Sequence, residues 1–185
     1  MVNRNKENAE KTEAAAKRRF PNEKWIDVSE AESQIKGISG HDDFKGIKVA
    51  HPKILEGDKN TLAKEIRQAK ILTDRGDCVY LLPKAKDEDG KPVSGPDALL
   101  NGELYEFKTI TGNIDRVAER FSKSRRQSDN VYLRISNPNI TKDEVFSMVN
   151  RVLNKPTYTG TTKGWLILTL DGTGKTHKRS IRSLK

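Results

Sequence analysis

This 185-residue sequence has little that could staple it covalently or hold it in a membrane. Its one cysteine, Cys78, excludes a disulfide framework and a cysteine zinc cluster. Flanked by Val79, Tyr80, Leu81 and Leu82, it reads as a buried strand residue. No apolar run approaches the roughly 20 residues of a membrane-spanning helix, and Met1 opens onto charged residues instead of an apolar signal segment. Acidic residues are the other shortage: 26 Asp and Glu stand against 35 Lys and Arg, a net charge of +9. That shortage is local. Residues 1–112 carry 20 of each sign, whereas residues 113–185 carry 15 basic and 6 acidic side chains. Such asymmetry points to a polyanion lying against the second half. The length fits one domain with a real core and an appended segment.

The most informative stretch runs from Gly95 to Ile110. Asn101-Gly102 between two apolar runs is the signal for a two-residue hairpin turn with positive φ at both central positions. Such a loop predicts the pairs Leu100 with Glu103, Leu99 with Leu104, Ala98 with Tyr105 and Asp97 with Glu106. Asp97 and Glu106 then face each other with β-carbons roughly 5 Å apart, where like charges repel unless something positive lies between them. Lys108 shares the face of Glu106, and Tyr105 and Phe107 point the other way, into a core. Two carboxylates and an ammonium on one face suit a hard divalent cation, Mg²⁺ with Mn²⁺ or Zn²⁺ as alternatives, that binds through carboxylates and substrate phosphate. The chemistry this predicts is phosphodiester hydrolysis, with Lys108 orienting the attacking water or neutralising charge on phosphorus. The alternative is an ordinary hairpin with charges on its wet face.

Pro96-Asp97 followed by Glu106-Phe107-Lys108 resembles the PD-(D/E)xK nuclease motif. The surrounding Gly95–Thr109 stretch, and the Ser122–Ser136 stretch, resemble the C-terminal toxin domains of bacterial contact-dependent growth inhibition and related polymorphic toxins. The resemblance covers residues 60–170. It implies an α/β fold with a restriction-endonuclease-like αβββαβ core, a mixed sheet, and an added C-terminal helix and strand or strands. It also implies that Glu65, on the first helix, joins Asp97 and Glu106 at the metal, and that Gln127 lies by the active site. The substrate is then nucleic acid, tRNA ahead of DNA, and the partner an acidic immunity protein. Such domains travel as the C-terminal end of a larger exported protein and act in the target-cell cytoplasm. A non-catalytic nucleic-acid-binding protein and a housekeeping DNA-processing nuclease are the rival readings.

The remaining chain supplies the frame. Residues 1–59 read as a linker and small docking region: a solvated, partly helical segment over residues 1–19, then isolated apolar residues with a short helix around Ser29–Lys36. Residues 60–185 read as the nuclease domain. His41-Asp42-Asp43 is a polar turn between glycines before it is a metal site. Leu62, Ile66 and Ala69 predict a helix from Asn60 that stops at Gly76, and Cys78–Leu82 predicts a buried strand ended by Pro83. Gly112-Asn113 is expected to cap a helix whose stripe is Ile114, Val117, Ala118 and Phe121. Its other faces carry Arg116, Arg120, Arg125 and Arg126, expected to hold the substrate backbone. Alternation predicts a strand over Asn130–Ser136. Thr141 and Glu144 form a capping box for a helix, and Trp165–Leu170 is a further strand. Gly172-Thr173-Gly174-Lys175-Thr176 imitates a phosphate-binding loop, but Thr169 stands where that motif needs its first glycine, so a hairpin turn is expected.

Overall fold

The computed structural model describes residues 2–31, 35, 44, 46–56 and 59–185; His41-Asp42-Asp43 lies outside the described residues. The chain divides into two compact units, Met1–Leu104 and Tyr105–Lys185. Each is a mixture of helices and strands, with parallel and antiparallel pairs in both, so the α/β class expected from the sequence holds. Among the described residues no helix is long and apolar enough to cross a membrane.

The first unit contains α1 (Val2–Arg19), β1 (Trp25–Asp27), α2 (Val28–Ala31), β2 (Ile47–Ala50), α3 (His51–Glu56), α4 (Lys59–Thr73), β3 (Val79–Leu81) and β4 (Ala98–Leu100). Its strands run in the order β1-β2-β3-β4, with the central β2–β3 pair parallel and the flanking pairs antiparallel. Leu62, Ala63, Ile66, Ala69 and Leu72 recur at helical spacing and are all buried, which makes α4 an amphipathic helix lying on β2 and β3. Gly76, at φ +87°, ends that segment as expected.

Two features of this unit differ from the sequence reading. Helix α1 is no solvated linker. Helix α1 buries Ala15 and Ala16, which pack with Cys78, Tyr80, Leu82 and Leu99. Asn8 and Thr12 are buried too: Asn8 Nδ2 donates to the Gly76 carbonyl at 2.9 Å, and Thr12 Oγ1 donates to the Asn8 carbonyl at 2.7 Å. A face made of alanine, threonine and asparagine carries almost no hydropathy signal, so periodicity cannot find it. Among the scattered apolar residues after it, Trp25 and Ile26 lie in β1, Val28 opens α2 and Ile47 opens β2. Trp25 in β1 lies 5.0 Å from the Tyr80 ring and edge-on to Phe20 at 6.2 Å. Strands of three and four residues are too short to show a period of two.

The hairpin turn after β4 has the expected geometry, with φ 51° at Asn101 and 87° at Gly102. Asn101 also ties the turn inward. Its Nδ2 donates to Asp77 at 2.7 Å, and its Oδ1 accepts from the Cys78 amide at 2.9 Å. A β-carbon on Gly102 would stand 3.0 Å from the Lys11 carbonyl oxygen, so α1 adds a second reason for glycine there.

The second unit holds most of β5 (Glu103–Ile110), then α5 (Asp115–Ser124), β6 (Asn130–Ile135), α6 (Lys142–Leu153), β7 (Trp165–Leu170) and β8 (Lys175–Ser180). A 3-10 turn, Ile181–Leu184, follows. Strands β5, β6 and β7 are parallel, joined by the two helices, and β8 turns back antiparallel on β7. Along the chain, α4, β3, β4, β5, α5 and β6 give the expected αβββαβ order. Val117, Phe121, Val145, Val149 and Val152 of the helices pack with Val131, Leu133, Ile135, Leu166 and Leu168 of the strands. The capping box forms: Glu144 N–H donates to Thr141 Oγ1 at 3.3 Å, and Thr141 N–H to Glu144 Oε2 at 2.8 Å. Helix α5 is capped differently from expectation, because Ile114 takes the N-cap position in helical conformation and no side chain caps it. Gly172, Thr173 and Gly174 lie in the β7–β8 hairpin turn, and Lys175-Thr176 opens β8 where a phosphate-binding loop needs a helix.

Candidate active site

Strand β5 presents two faces. In the parallel register Glu106 lies opposite Val131, Lys108 opposite Leu133 and Ile110 opposite Ile135. Glu106 and Lys108 therefore share the face on which Ile110, Val131 and Ile135 pack with Val117 and Phe121 of α5. The other face carries Tyr105 and Phe107, both buried, with Phe107 edge-on to Tyr132 at 5.1 Å. The sequence predicts that second face as core. It does not predict that the Glu106 face is covered as well, which leaves Glu106 only 1% exposed. A carboxylate taken that far from water requires a counter-charge, and Lys108 Nζ provides one by donating to Glu106 Oε1.

The topology brings a third candidate to this end of the strand. Asn130 begins β6 directly opposite Tyr105, so the turn that delivers the chain to β6 stands level with the start of the Glu106 segment. Gln127 sits in that turn, its amide donating to the Ser124 carbonyl at 3.0 Å. Ser124, fully buried on the sheet-facing stripe of α5, has a hydroxyl with no hydrogen-bond partner among the described residues. Sequence reading passed over it, although a serine at an apolar-stripe position is a usable signal.

The two remaining carboxylates belong to the first unit. Asp97 immediately precedes β4, is half-buried, and its carbonyl accepts from the Leu82 amide at 2.9 Å. Glu65 is buried on α4, its Oε2 lying 2.6 Å from Lys53 Nζ on α3. That cation was missed, since no sequence pattern announced α3. Gln68, one turn beyond Glu65, is buried, and its Nε2 has no partner among the described residues. Among the described residues, no group of three or more His, Cys, Asp and Glu side chains is arranged to hold a metal ion.

The four arginines expected to hold a polyanion have three different situations. Arg120 and Arg126 are exposed. Arg116 is exposed but paired with Glu119 at 2.9 Å, and Lys123 reaches the same carboxylate at 2.8 Å. These contacts, Lys123 first and Arg116 next, hold the Glu119 carboxyl down at about 2. Arg125 has a role other than the one expected. Its side chain is buried, and its guanidinium donates to the carbonyls of Ser128 (3.2 Å), Asp129, Thr161 (2.8 Å) and Lys163 (2.9 Å), with Tyr158 Oη at 3.4 Å. It clamps the loop before β7 to the turn before β6, and those carbonyls take the donors a phosphate would need.

Comparison with curated proteins and with solved structures finds no match. A family model does match part of the chain, from just before Pro96-Asp97 through the end of β7. Residues 94–173, less than half of the sequence, are similar to the family described as contact-dependent growth inhibition CdiA C-terminal domain.

Proposed function

We propose that the chain is a toxin domain that hydrolyses phosphodiester bonds in nucleic acid with the help of a divalent cation. The observation that carries this reading is the buried Glu106 carboxylate held by Lys108 on β5, a strand parallel to β6, within the segment similar to the CdiA C-terminal domain. Buried acid–base pairs of this kind need a reason to exist, because well-packed apolar residues would serve stability as well. Hard oxygen donors suit Mg²⁺, which keeps several waters and needs only one or two protein carboxylates. On the resemblance, Asp97, Glu106 and Glu65 are the residues that would hold it; Glu65 contacts Lys53. When bound, such a cation polarises a phosphoryl oxygen and lowers the pKa of a coordinated water.

The chain's own residues do the rest. Glu106 fixes the Lys108 ammonium by direct contact, so its positive charge stands ready where negative charge grows on the phosphoryl group. Gln127, neutral and able both to donate and to accept, orients water or substrate without adding charge. On the resemblance to contact-dependent toxins, tRNA is favoured over DNA, an acidic immunity protein is the partner, and delivery is as part of a larger exported protein. The basic hairpin described below also suits a second reading, a nucleic-acid-binding protein without catalysis.

The deciding experiment incubates the purified chain with total RNA and with plasmid DNA, in Mg²⁺ or in EDTA, beside Lys108→Ala and Asp97→Ala. Cleavage is expected in Mg²⁺ alone, with loss of at least a hundredfold in either variant. A cation should also raise the melting temperature by binding the folded form. If Mg²⁺, Mn²⁺ and Zn²⁺ leave both melting and cleavage unchanged, or if Lys108→Ala cleaves normally, the reading fails.

A further inference from the structure

On and after α5, Arg116 and Lys123 share Glu119 and Arg125 is buried, which leaves Arg120 and Arg126 exposed; a larger cluster of uncompensated positive charge lies at the end of the chain. The last fourteen residues hold Lys175, Lys178, Arg179, Arg182 and Lys185 and no acid. Strand β8 carries the first three, at the outer end of the strand order β5-β6-β7-β8. All three are exposed and make no ion pair with any described residue. Successive strand residues alternate faces, so Lys178 lies on one side of this edge and Lys175 and Arg179 on the other.

Beside them stands an aromatic ring that the core does not use. Trp165, at the start of β7, is 39% exposed; Val93 is the other large apolar side chain exposed to that degree among the described residues. Trp165 pairs with Ser180 and Ile167 with Lys178, which puts ring and ammonium on the same face of the hairpin. Lys178 Nζ lies 4.6 Å from the ring centroid, a cation–π contact. The ring's base is fixed as well. The Trp165 amide donates to Asn130 Oδ1 at 2.9 Å, and a β-carbon on the preceding Gly164, at φ +91°, would stand 1.8 Å from the Asp129 carbonyl oxygen. An exposed indole on a rigid strand beside uncompensated lysine and arginine combines base stacking with backbone attraction, the two components of single-strand nucleic-acid binding.

We propose that Trp165, with Lys178 beside it and Lys175 and Arg179 along β8, is a stacking platform for an unpaired base of a single-stranded polynucleotide. The choice of a polynucleotide over another polyanion rests on the proposed action on nucleic acid. Lys178 meets one side of the ring and the base takes the other, with the adjacent phosphates running along β8. Trp165 lies within the segment that matches the family model, and Lys175, Lys178 and Arg179 lie beyond it.

The test titrates the full chain, in EDTA, with a deoxythymidine 12-mer and with a duplex of the same length, following tryptophan fluorescence. Subtracting the signal of Trp165→Phe isolates this ring from Trp25. Quenching of Trp165 by the single strand, weaker by the duplex, is expected, with affinity at least fivefold lower in Trp165→Ala and partly kept in Trp165→Phe. Equal affinity of wild type and Trp165→Ala, or absence of quenching, overturns the platform. Quenching by poly-glutamate as strong as by the oligonucleotide reassigns the surface to an acidic protein. Because EDTA removes the cation, quenching is read whether or not the chain cleaves anything in Mg²⁺, and the two proposals fail separately.

Discussion

Arg125 illustrates how one side chain can be read two ways until its surroundings are known. In a run of basic residues at a helix end, beside Arg126, it has the appearance of a phosphate ligand. Burial reverses the reading: four carbonyls converge on a guanidinium whose fork of donors can serve them together, and no other side chain has that geometry. Arg125→Ala would leave these carbonyls without their donor inside the fold. A loss of about 3 kcal/mol in unfolding free energy is expected, measured by urea denaturation. Arg125→Lys should recover no more than about half of it, since an ammonium cannot reach both segments at once. A change below about 0.5 kcal/mol in Arg125→Ala would mean that the loop holds itself, and the arginine would return to the pool of substrate contacts.

At the scale of the helix, α5 is a charge circuit as well as a core element. Glu119 sits three residues after Arg116 and four before Lys123 and draws both cations to itself. The folded carboxyl is held at about 2, below its ordinary range, so the sign follows directly. The contribution of this trio is complete above the ordinary carboxylate range and is lost as pH falls through about 2. All three side chains are solvent-accessible, so the effect belongs to a titration curve more than to stability. Carboxyl-selective NMR should find the Glu119 midpoint near 2, rising further in Lys123→Ala than in Arg116→Ala. A midpoint at the ordinary value of about 4.3 would remove the circuit. The same helix shows what sequence can and cannot reveal. The stripe of Val117 and Phe121 was legible because apolar residues at helical spacing have one main use, and the Thr141–Glu144 box because its spacing is set by the backbone. The Asn101-Gly102 turn was legible for the same reason, since few residues tolerate positive φ. The buried face of helix α1 and the strands β1 and β2 were not, because small side chains and strands of three or four residues leave no periodic trace. Within the candidate site, Glu106 and Lys108 could be placed on one strand face from alternation alone. The burial of that face, and the Lys53 contact to Glu65, depend on tertiary neighbours that alternation does not specify.

Across the whole chain the net charge of +9 separates into charge that is already balanced and charge that is not. Arg116 and Lys123 share Glu119, Arg134 grips Asp171 at 2.9 Å, and Arg125 is buried. What remains accessible in the second unit includes Arg120 and Arg126 on and after α5, Arg151, Lys155 and Lys163, and the basic β8 hairpin with its exposed tryptophan. Only uncompensated charge gains on meeting a polyanion, because a lysine that leaves a carboxylate to bind a phosphate exchanges one partner for another. The salt dependence of binding therefore measures where the polynucleotide lies. For a single strand, each phosphate neutralised contributes about 0.7 to the slope of log affinity against log salt. Replacing Lys175, Lys178 and Arg179 together by glutamine in the Lys108→Ala protein should lower that slope by about 2. Arg116→Gln should change it by far less, and Glu119→Gln, which releases two cations, should steepen it. Replacing Arg120 and Arg126 by glutamine is the competing variant, since both are exposed on and after α5. If that pair flattens the slope and the β8 triple does not, the strand's charge is a guard against edge-to-edge association, a familiar use of lysine on outer strands, and the polynucleotide follows α5.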